Sequence, residues 1–86
     1  MTNVTLYKDG ETRLIATNGR KVIGIQRVNG ELMRDFGLWT GDFKSYVAYR
    51  ASQGMPKLRE LYFGFATQVP RTCESMRKFI EDRKLL

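Results

Sequence analysis

The fold is decided by residues 3–38, whose sequence is NVTLYKDGETRLIATNGRKVIGIQRVNGELMRDFGL. Between stretches rich in β-forming residues lie three dipeptides that favour turns: Asp9-Gly10, Asn18-Gly19 and Asn29-Gly30. Asn-Gly and Asp-Gly favour the type I′ turn, because Gly reaches positive φ freely and Asn or Asp does so more easily than most residues. We therefore predict an antiparallel four-stranded meander, with strands near 3–8, 11–17, 20–28 and 31–38.

The alternation of side chains assigns faces to these strands. Val4 and Leu6 share one face of the first strand and Thr5 lies on the other, so we expect one packed face and one face in water. Alternation in the fourth strand is imperfect because Arg34 shares a side with apolar residues, and a bulge or register change is predicted there. Gly24 in the third strand indicates either a bulge, which we favour, or a close approach to the backbone.

The rest of the chain predicts helices. Apolar residues recur at helical spacing near 42–53, and Gly54 ends that helix. Residues 57–69 have a helical stripe but also alternate as a strand would; we favour the helix, and a fifth strand stays open. A last helix is predicted near 72–85. The chain, residues 1–86, is then a single α+β domain in which two or three helices pack on one face of the sheet.

Composition excludes several classes of protein. The 86 residues suffice for one modest core. Cys73 is the only cysteine, so no internal disulfide can form, and we expect it to be buried and structural. We find no leader and no long apolar run, and therefore expect a cytoplasmic protein. Because histidine is absent, the usual zinc sites and the commonest general acid or base are missing, so we expect no metal, no cofactor and no catalysis.

The charge balance points to an acidic partner. Lys and Arg number 15 against 9 Asp and Glu, which gives a net charge of +6. Arginine suits phosphate because its planar guanidinium donates two parallel hydrogen bonds. Our first hypothesis is a small non-catalytic nucleic-acid-binding module, in which basic residues of successive strands and turns gather on one wet face and follow a phosphate backbone: Arg13, Arg20, Lys21, Arg27 and Arg34. The alternative is that they are separate solvated cations, partly paired with Glu11, Glu31 and Asp35.

Part of the chain resembles a known type of DNA-binding domain. Residues 20–51 contain a strand, the Asn29-Gly30 turn, a strand that ends Phe36-Gly37-Leu38-Trp39, and a helix with Ala48-Tyr49-Arg50-Ala51. This order resembles the AP2 and integrase-arm domains. The resemblance implies that the sheet lies in the major groove of DNA, where the matching strand positions meet bases and phosphates: Arg20, Lys21, Arg27 and Arg34.

Aromatic residues supply a second hypothesis. They are concentrated between residues 39 and 65, and a small core that uses large side chains accounts for Trp39, Phe43 and Phe65. Tyr and Arg often dominate protein interfaces. The chain is alternatively a small protein-binding inhibitor or adaptor, of the kind phages and mobile elements encode, that contacts a larger protein or a second copy through Tyr46, Tyr49, Arg50 and Tyr62.

Overall fold

The structure is a computed structural model that describes the backbone of residues 3–66 and 74–86 and the side chains of residues 4–61 and 77–86. Five antiparallel strands form one sheet in the order β4-β3-β2-β1-β5. Along the chain the elements are β1 (Asn3–Asp9), β2 (Arg13–Thr17), β3 (Val22–Val28), β4 (Glu31–Trp39), α1 (Phe43–Ser52), β5 (Arg59–Ala66) and α2 (Glu74–Asp82). Within the described residues, no helix is long and apolar enough to cross a membrane.

The meander of β1 to β4 is confirmed, and the turns that join its strands differ from one another. Asn29 has φ of 51° and Gly30 has φ of 81°, the two positive values that a type I′ turn requires. At the second turn the side chain of Asn18 stabilises the backbone instead, because its Oδ1 accepts hydrogen bonds from the backbone N–H groups of Arg20 and Lys21 at 2.9 Å each.

The helix predicted over residues 57–69 is wrong where the structure describes it. Residues Arg59–Ala66 form β5, which pairs antiparallel with β1 in a register interrupted by two shifts. The segment has both a helical and a strand period, and the open edge of β1 decides between them because its N–H and C=O groups need partners. The alternative prediction of a fifth strand is therefore correct. Residues 67–69 and Cys73 lie outside the described residues.

The predicted helices near 42–53 and 72–85 are present as α1 and α2, but the prediction that they share one face of the sheet is wrong. Tyr46 of α1 packs against Ile15 and Val22. Ile80 of α2 packs on the opposite face, among the buried side chains of Val4, Leu6, Leu14, Ala16, Ile23 and Ile25. Both faces of the sheet carry apolar residues, so both are covered and neither is the wet face we expected. The architecture has three layers: α1, the sheet and α2.

A register shift in β4 confirms the predicted irregularity. Val22 pairs with Trp39, whereas Gly24 pairs with Asp35, so β4 spends two more residues than β3 over the same interval. A Cβ atom at Gly24 would lie 3.4 Å from atoms of Arg13 and Asp35, so this glycine is also a place of close approach. The shift lies at residues 36–38 of β4, which is one of the two end strands of the sheet.

Candidate functional site

Three of the predicted site residues, Arg13, Tyr46 and Arg50, belong to a cluster around Asp9 that connects α1 to the first hairpin. Asp9 accepts hydrogen bonds from Arg13 (2.7 Å to Nη2) and from Arg50 (3.0 Å to Nη2). Arg50 is only 3% exposed and also donates to the Tyr46 hydroxyl at 3.3 Å and the Pro56 carbonyl at 2.8 Å. Because its donors are used inside the molecule, the role of this cluster is structural.

The pKa values in the cluster follow from its geometry. Burial of the Asp9 carboxyl would raise its pKa, but the hydrogen bonds and charges of Arg13 and Arg50 outweigh that effect, and the pKa lies below its ordinary value. Burial would lower the pKa of Arg50, but the hydrogen bonds of Tyr46 and Asp9 outweigh it, and that pKa is raised. Both groups are therefore charged near neutral pH.

The protein-binding hypothesis required exposed side chains at Tyr46, Tyr49 and Arg50. Tyr46 and Arg50 are each 3% exposed, so they belong to the core and not to a surface. Tyr49 is 46% exposed and meets the requirement. Tyr62 lies in β5, and its side chain is outside the described residues.

The basic residues of the sheet do not gather on one face. Arg13 lies on the α1 side, whereas Arg27 forms an ion pair with Glu81 of α2 and donates to the Gly30 carbonyl at 3.1 Å. The expected gathering is wrong because a sheet covered on both faces distributes alternate residues between two helices. These pairs also use Asp9 and Glu81 rather than the acids that the alternative proposed.

A basic and aromatic surface instead surrounds the outer edge of β4. We call it the edge surface, and it consists of Arg20, Lys21, Arg34, Phe36, Trp39 and Tyr49. The Arg34 guanidinium lies 5.1 Å from the centre of the Phe36 ring, and the Trp39 and Tyr49 rings lie 5.1 Å apart. Between these two pairs is a cavity of about 280 Å³ whose lining includes Lys21, Phe36 and Trp39. These contacts connect five of the six residues into one surface, and Arg20 directly precedes Lys21 on the turn before β3.

The turn from β4 into α1 fixes Trp39 and Tyr49. The indole Nε1 donates to the Asp42 carbonyl at 3.1 Å, and the Tyr46 ring lies 5.5 Å from the Trp39 ring. Asp42 begins α1 by accepting the backbone N–H of Ser45 at 2.8 Å. The Ser45 side chain and backbone donate to the Asp42 carboxyl, which lowers its pKa. Tyr49 lies on the exposed side of the same helix. The Trp39 ring is therefore held by its contact with Tyr46 and its hydrogen bond to Asp42, and the Tyr49 ring packs beside it.

Arg20 and Lys21 combine a fixed backbone with exposed side chains. Besides the two bonds to Asn18, the Thr17 hydroxyl donates to the Lys21 carbonyl at 2.7 Å and accepts the Gly19 N–H at 2.9 Å. Neither basic side chain has an ion-pair partner within residues 4–61 and 77–86. Their charge is therefore available to a ligand.

A second cavity, of about 470 Å³, lies on the other side of α1. Most of its lining is apolar, including Phe43, Leu58 and the exposed side chains of Val47 and Met55, and Lys57 stands at its wall. Arg50 also lines this cavity, and its donors are already used by Asp9 and the Pro56 carbonyl.

Sequence reasoning found four members of the edge surface and missed two. Phe36 was not singled out, and Trp39 was assigned to the core; it is half-buried and packs against the α1-side core while also facing the edge cavity. No local signal was available, because Phe36 and Trp39 keep the sides that simple alternation assigns and their exposure depends on β4 being an end strand of the sheet.

The AP2 resemblance implied that the sheet lies in the major groove of DNA; in this fold α2 packs over β1, β2 and β3 on the face opposite α1. No protein-family model matches the chain, and the searches of curated proteins and of solved structures returned no match either.

Proposed function

We propose that this protein is a small nucleic-acid-binding module that contacts its ligand through the edge surface. The observation that carries the proposal is the continuity of cations and exposed rings around β4, where Lys21 shares a cavity with Phe36 and Trp39. Cations neutralise phosphates, and aromatic rings stack on bases, so this pairing of residue types suits a nucleic acid better than it suits an acidic protein.

The proposal assigns phosphate contacts to Arg20, Lys21 and Arg34. The first two have exposed side chains on a turn whose backbone is fixed by Asn18, so only their side chains, and not the backbone, lose conformational entropy when they bind phosphate. Arg34 approaches from the other end of the surface, beside Phe36. Arg13 and Arg27 stay outside the proposed contact because Asp9 and Glu81 compensate their charges.

The test compares two lysine variants of equal charge. Fluorescence anisotropy of labelled DNA and RNA oligonucleotides is measured between about 50 and 200 mM salt, where phosphate contacts produce a steep fall in affinity. We expect Lys21→Gln to weaken binding and to reduce the salt slope by about 0.7 to 0.9 for one lost phosphate contact. Lys57→Gln, at the wall of the other cavity, is the control and should leave the slope unchanged.

Two results would contradict this proposal. If wild-type protein binds no oligonucleotide at the lowest salt concentration, the net charge of +6 has another purpose and nucleic-acid binding is refuted. If Lys57→Gln and Lys21→Gln reduce binding equally, the charge acts without a defined site and the edge surface is refuted.

A second candidate function, protein binding, is favoured by the exposed apolar side chains at the other cavity. Val47 is 44% exposed and Met55 is 39% exposed, and both line the cavity of about 470 Å³. Apolar side chains around a concave surface suit a protein partner. In this case Val47→Lys should abolish capture of a partner that wild-type protein retains, whereas Lys21→Gln should not.

A further inference from the structure

We propose that the edge surface takes an unpaired strand, whose bases stack on the exposed rings of Phe36 and Tyr49, in preference to a duplex. This inference rests on the proposed function and deepens it by naming the form of the nucleic acid. It also names two aromatic residues, rather than the arginines, as the source of that preference.

Each of the two rings is supported from within the protein and open to solvent. Phe36 is 53% exposed, and the Arg34 guanidinium lies over its ring. Tyr49 is 46% exposed, and the Trp39 ring lies beside it with an interplanar angle of 32°. A base that stacks on either ring adds one more layer to an existing pair, so the ring needs little reordering when the base binds.

The cavity between the rings suits the sugar and phosphate that connect two bases. Its lining includes Lys21, Thr40 and Gly41, which offer an ammonium group, a hydroxyl and an uncovered backbone. A Cβ atom at Gly41 would lie 2.8 Å from the Trp39 indole nitrogen, so only glycine keeps the present arrangement of this wall. The surface thus alternates ring, cation and ring, which is how single strands are commonly bound.

A duplex has no free base faces on which these rings could stack. In double-stranded nucleic acid the faces of the bases are stacked on one another, and only their edges are accessible in the grooves. One face of β1, β2 and β3 is covered by α2, and α1 packs on the other face against β2 and β3, so these parts of the sheet cannot enter a groove. The edge surface would then meet a duplex only through phosphate contacts, whereas an unpaired strand uses both rings and cations.

The same lining predicts little sequence preference. The edge cavity is lined by Lys21, Val22, Ile23, Phe36, Trp39, Thr40 and Gly41, a set that contains no Asn, Gln, Asp or Glu side chain. Asn and Gln read adenine, and Asp and Glu read cytosine, so the lining predicts no preference for either base, while Lys21 keeps the capacity to read guanine. Stacking is tolerant of sequence because every base has a π face.

The test is a competition that separates strand form from charge. Oligo(dT) of about 15 nucleotides, oligo(U) of the same length and a hairpin duplex with the same number of phosphates compete for the full-length protein. We expect either single strand to bind at least about tenfold more tightly than the hairpin. Because Trp39 is the only tryptophan, its fluorescence reports whether the strand lies on the edge surface.

Variants identify the rings. Phe36→Leu and Tyr49→Leu keep apolar side chains but remove the rings, and each should weaken oligo(dT) binding by about 5- to 100-fold while hairpin binding is unchanged. Val28→Ala, an exposed apolar position at the end of β3 that lines neither cavity, is the control and should bind as wild type does. Urea unfolding of each variant checks that the fold is intact.

The outcomes distinguish this inference from the function on which it rests. Equal affinity for hairpin and single strands, or undiminished oligo(dT) binding by both leucine variants, would overturn the preference for unpaired strands and leave salt-dependent nucleic-acid binding in place. Failure of every probe to bind would overturn both.

Discussion

At the scale of single residues, Asp9 has the largest structural role among the charged groups described above. One carboxylate receives the guanidinium groups of Arg13 and Arg50, and the Arg50 side chain is only 4% exposed. A buried ion pair is weak evidence of net stabilisation, because both charges lose their hydration. Removing one partner is a different matter, since the remaining buried charge then has neither water nor a counterion.

We predict that Asp9→Asn lowers the free energy of unfolding by about 3 to 5 kcal/mol, because Arg50 would remain buried and charged without a carboxylate. Urea unfolding measured by circular dichroism tests this value. The control is Glu11→Gln, which removes an exposed acid from the same hairpin and should change stability by less than about 0.5 kcal/mol. If Asp9→Asn lowers the free energy of unfolding by less than about 1 kcal/mol, water or another acceptor must replace Asp9 as the partner of Arg50.

At the scale of elements, the turn from β4 into α1 connects the core to the edge surface. It contains Gly41, whose neighbours are the Trp39 indole nitrogen and the Ser45 hydroxyl. The φ of Gly41 is not in the positive range, so its role is to leave space rather than to supply an unusual backbone conformation. This makes the turn a place where a single methyl group disturbs the surface without unfolding the protein.

We predict that Gly41→Ala displaces the Trp39 ring, since the new Cβ atom would lie 2.8 Å from its Nε1. The hydrogen bond of the indole to the Asp42 carbonyl would break, and tryptophan emission should shift to longer wavelength. Gly37→Ala is the matched control in β4, because its Cβ atom would meet nothing closer than 3.6 Å. If the two variants have the same emission spectrum, the Trp39 ring is not held by this turn.

Elements also show where prediction from sequence succeeds. The strands β1 to β4 follow from local signals, namely the turn dipeptides and the alternation between them. β5 does not, because Leu61 and its neighbours satisfy two periods and the deciding partner is β1, more than fifty residues away in the chain.

The candidate site follows the same rule. Lys21 and Arg20 are predictable because they follow a turn dipeptide and stay exposed. The pairing of Arg27 with Glu81 spans 54 residues and cannot be recognised from spacing. The exposure of Phe36 depends on β4 being an end strand of the sheet, which only the strand order determines.

At the scale of the whole molecule, ion pairs between described side chains join the sheet to each of the two helices, and this makes stability depend on pH. Asp9 joins the hairpin to α1, and Arg27 with Glu81 joins β3 to α2. The pKa of Asp9 is lowered in the folded protein, so its carboxylate stabilises the fold at every pH above the unfolded pKa of about 3.9. That contribution is lost as the pH falls through the lower folded pKa.

We predict that the wild-type protein loses stability steeply below about pH 4, and that Asp9→Asn has a shallower dependence over the same range. Urea midpoints measured from pH 7 downward in steps test this prediction. Glu11→Gln should follow the wild-type curve. Parallel acid limbs for Asp9→Asn and wild type would mean that other carboxyl groups govern acid unfolding.

The register shift in β4 also bears on how copies of this protein treat one another. A nine-residue strand at the end of a sheet presents unpaired N–H and C=O groups, and such strands recruit other chains into continuous intermolecular sheets. The two additional residues of β4 break the regular spacing of those groups over residues 36–38, and Arg34 with Asp35 adds charge beside the break. Neither half of the strand then offers a long, flat template. We therefore expect this irregularity to oppose edge-to-edge aggregation in a concentrated solution of the protein.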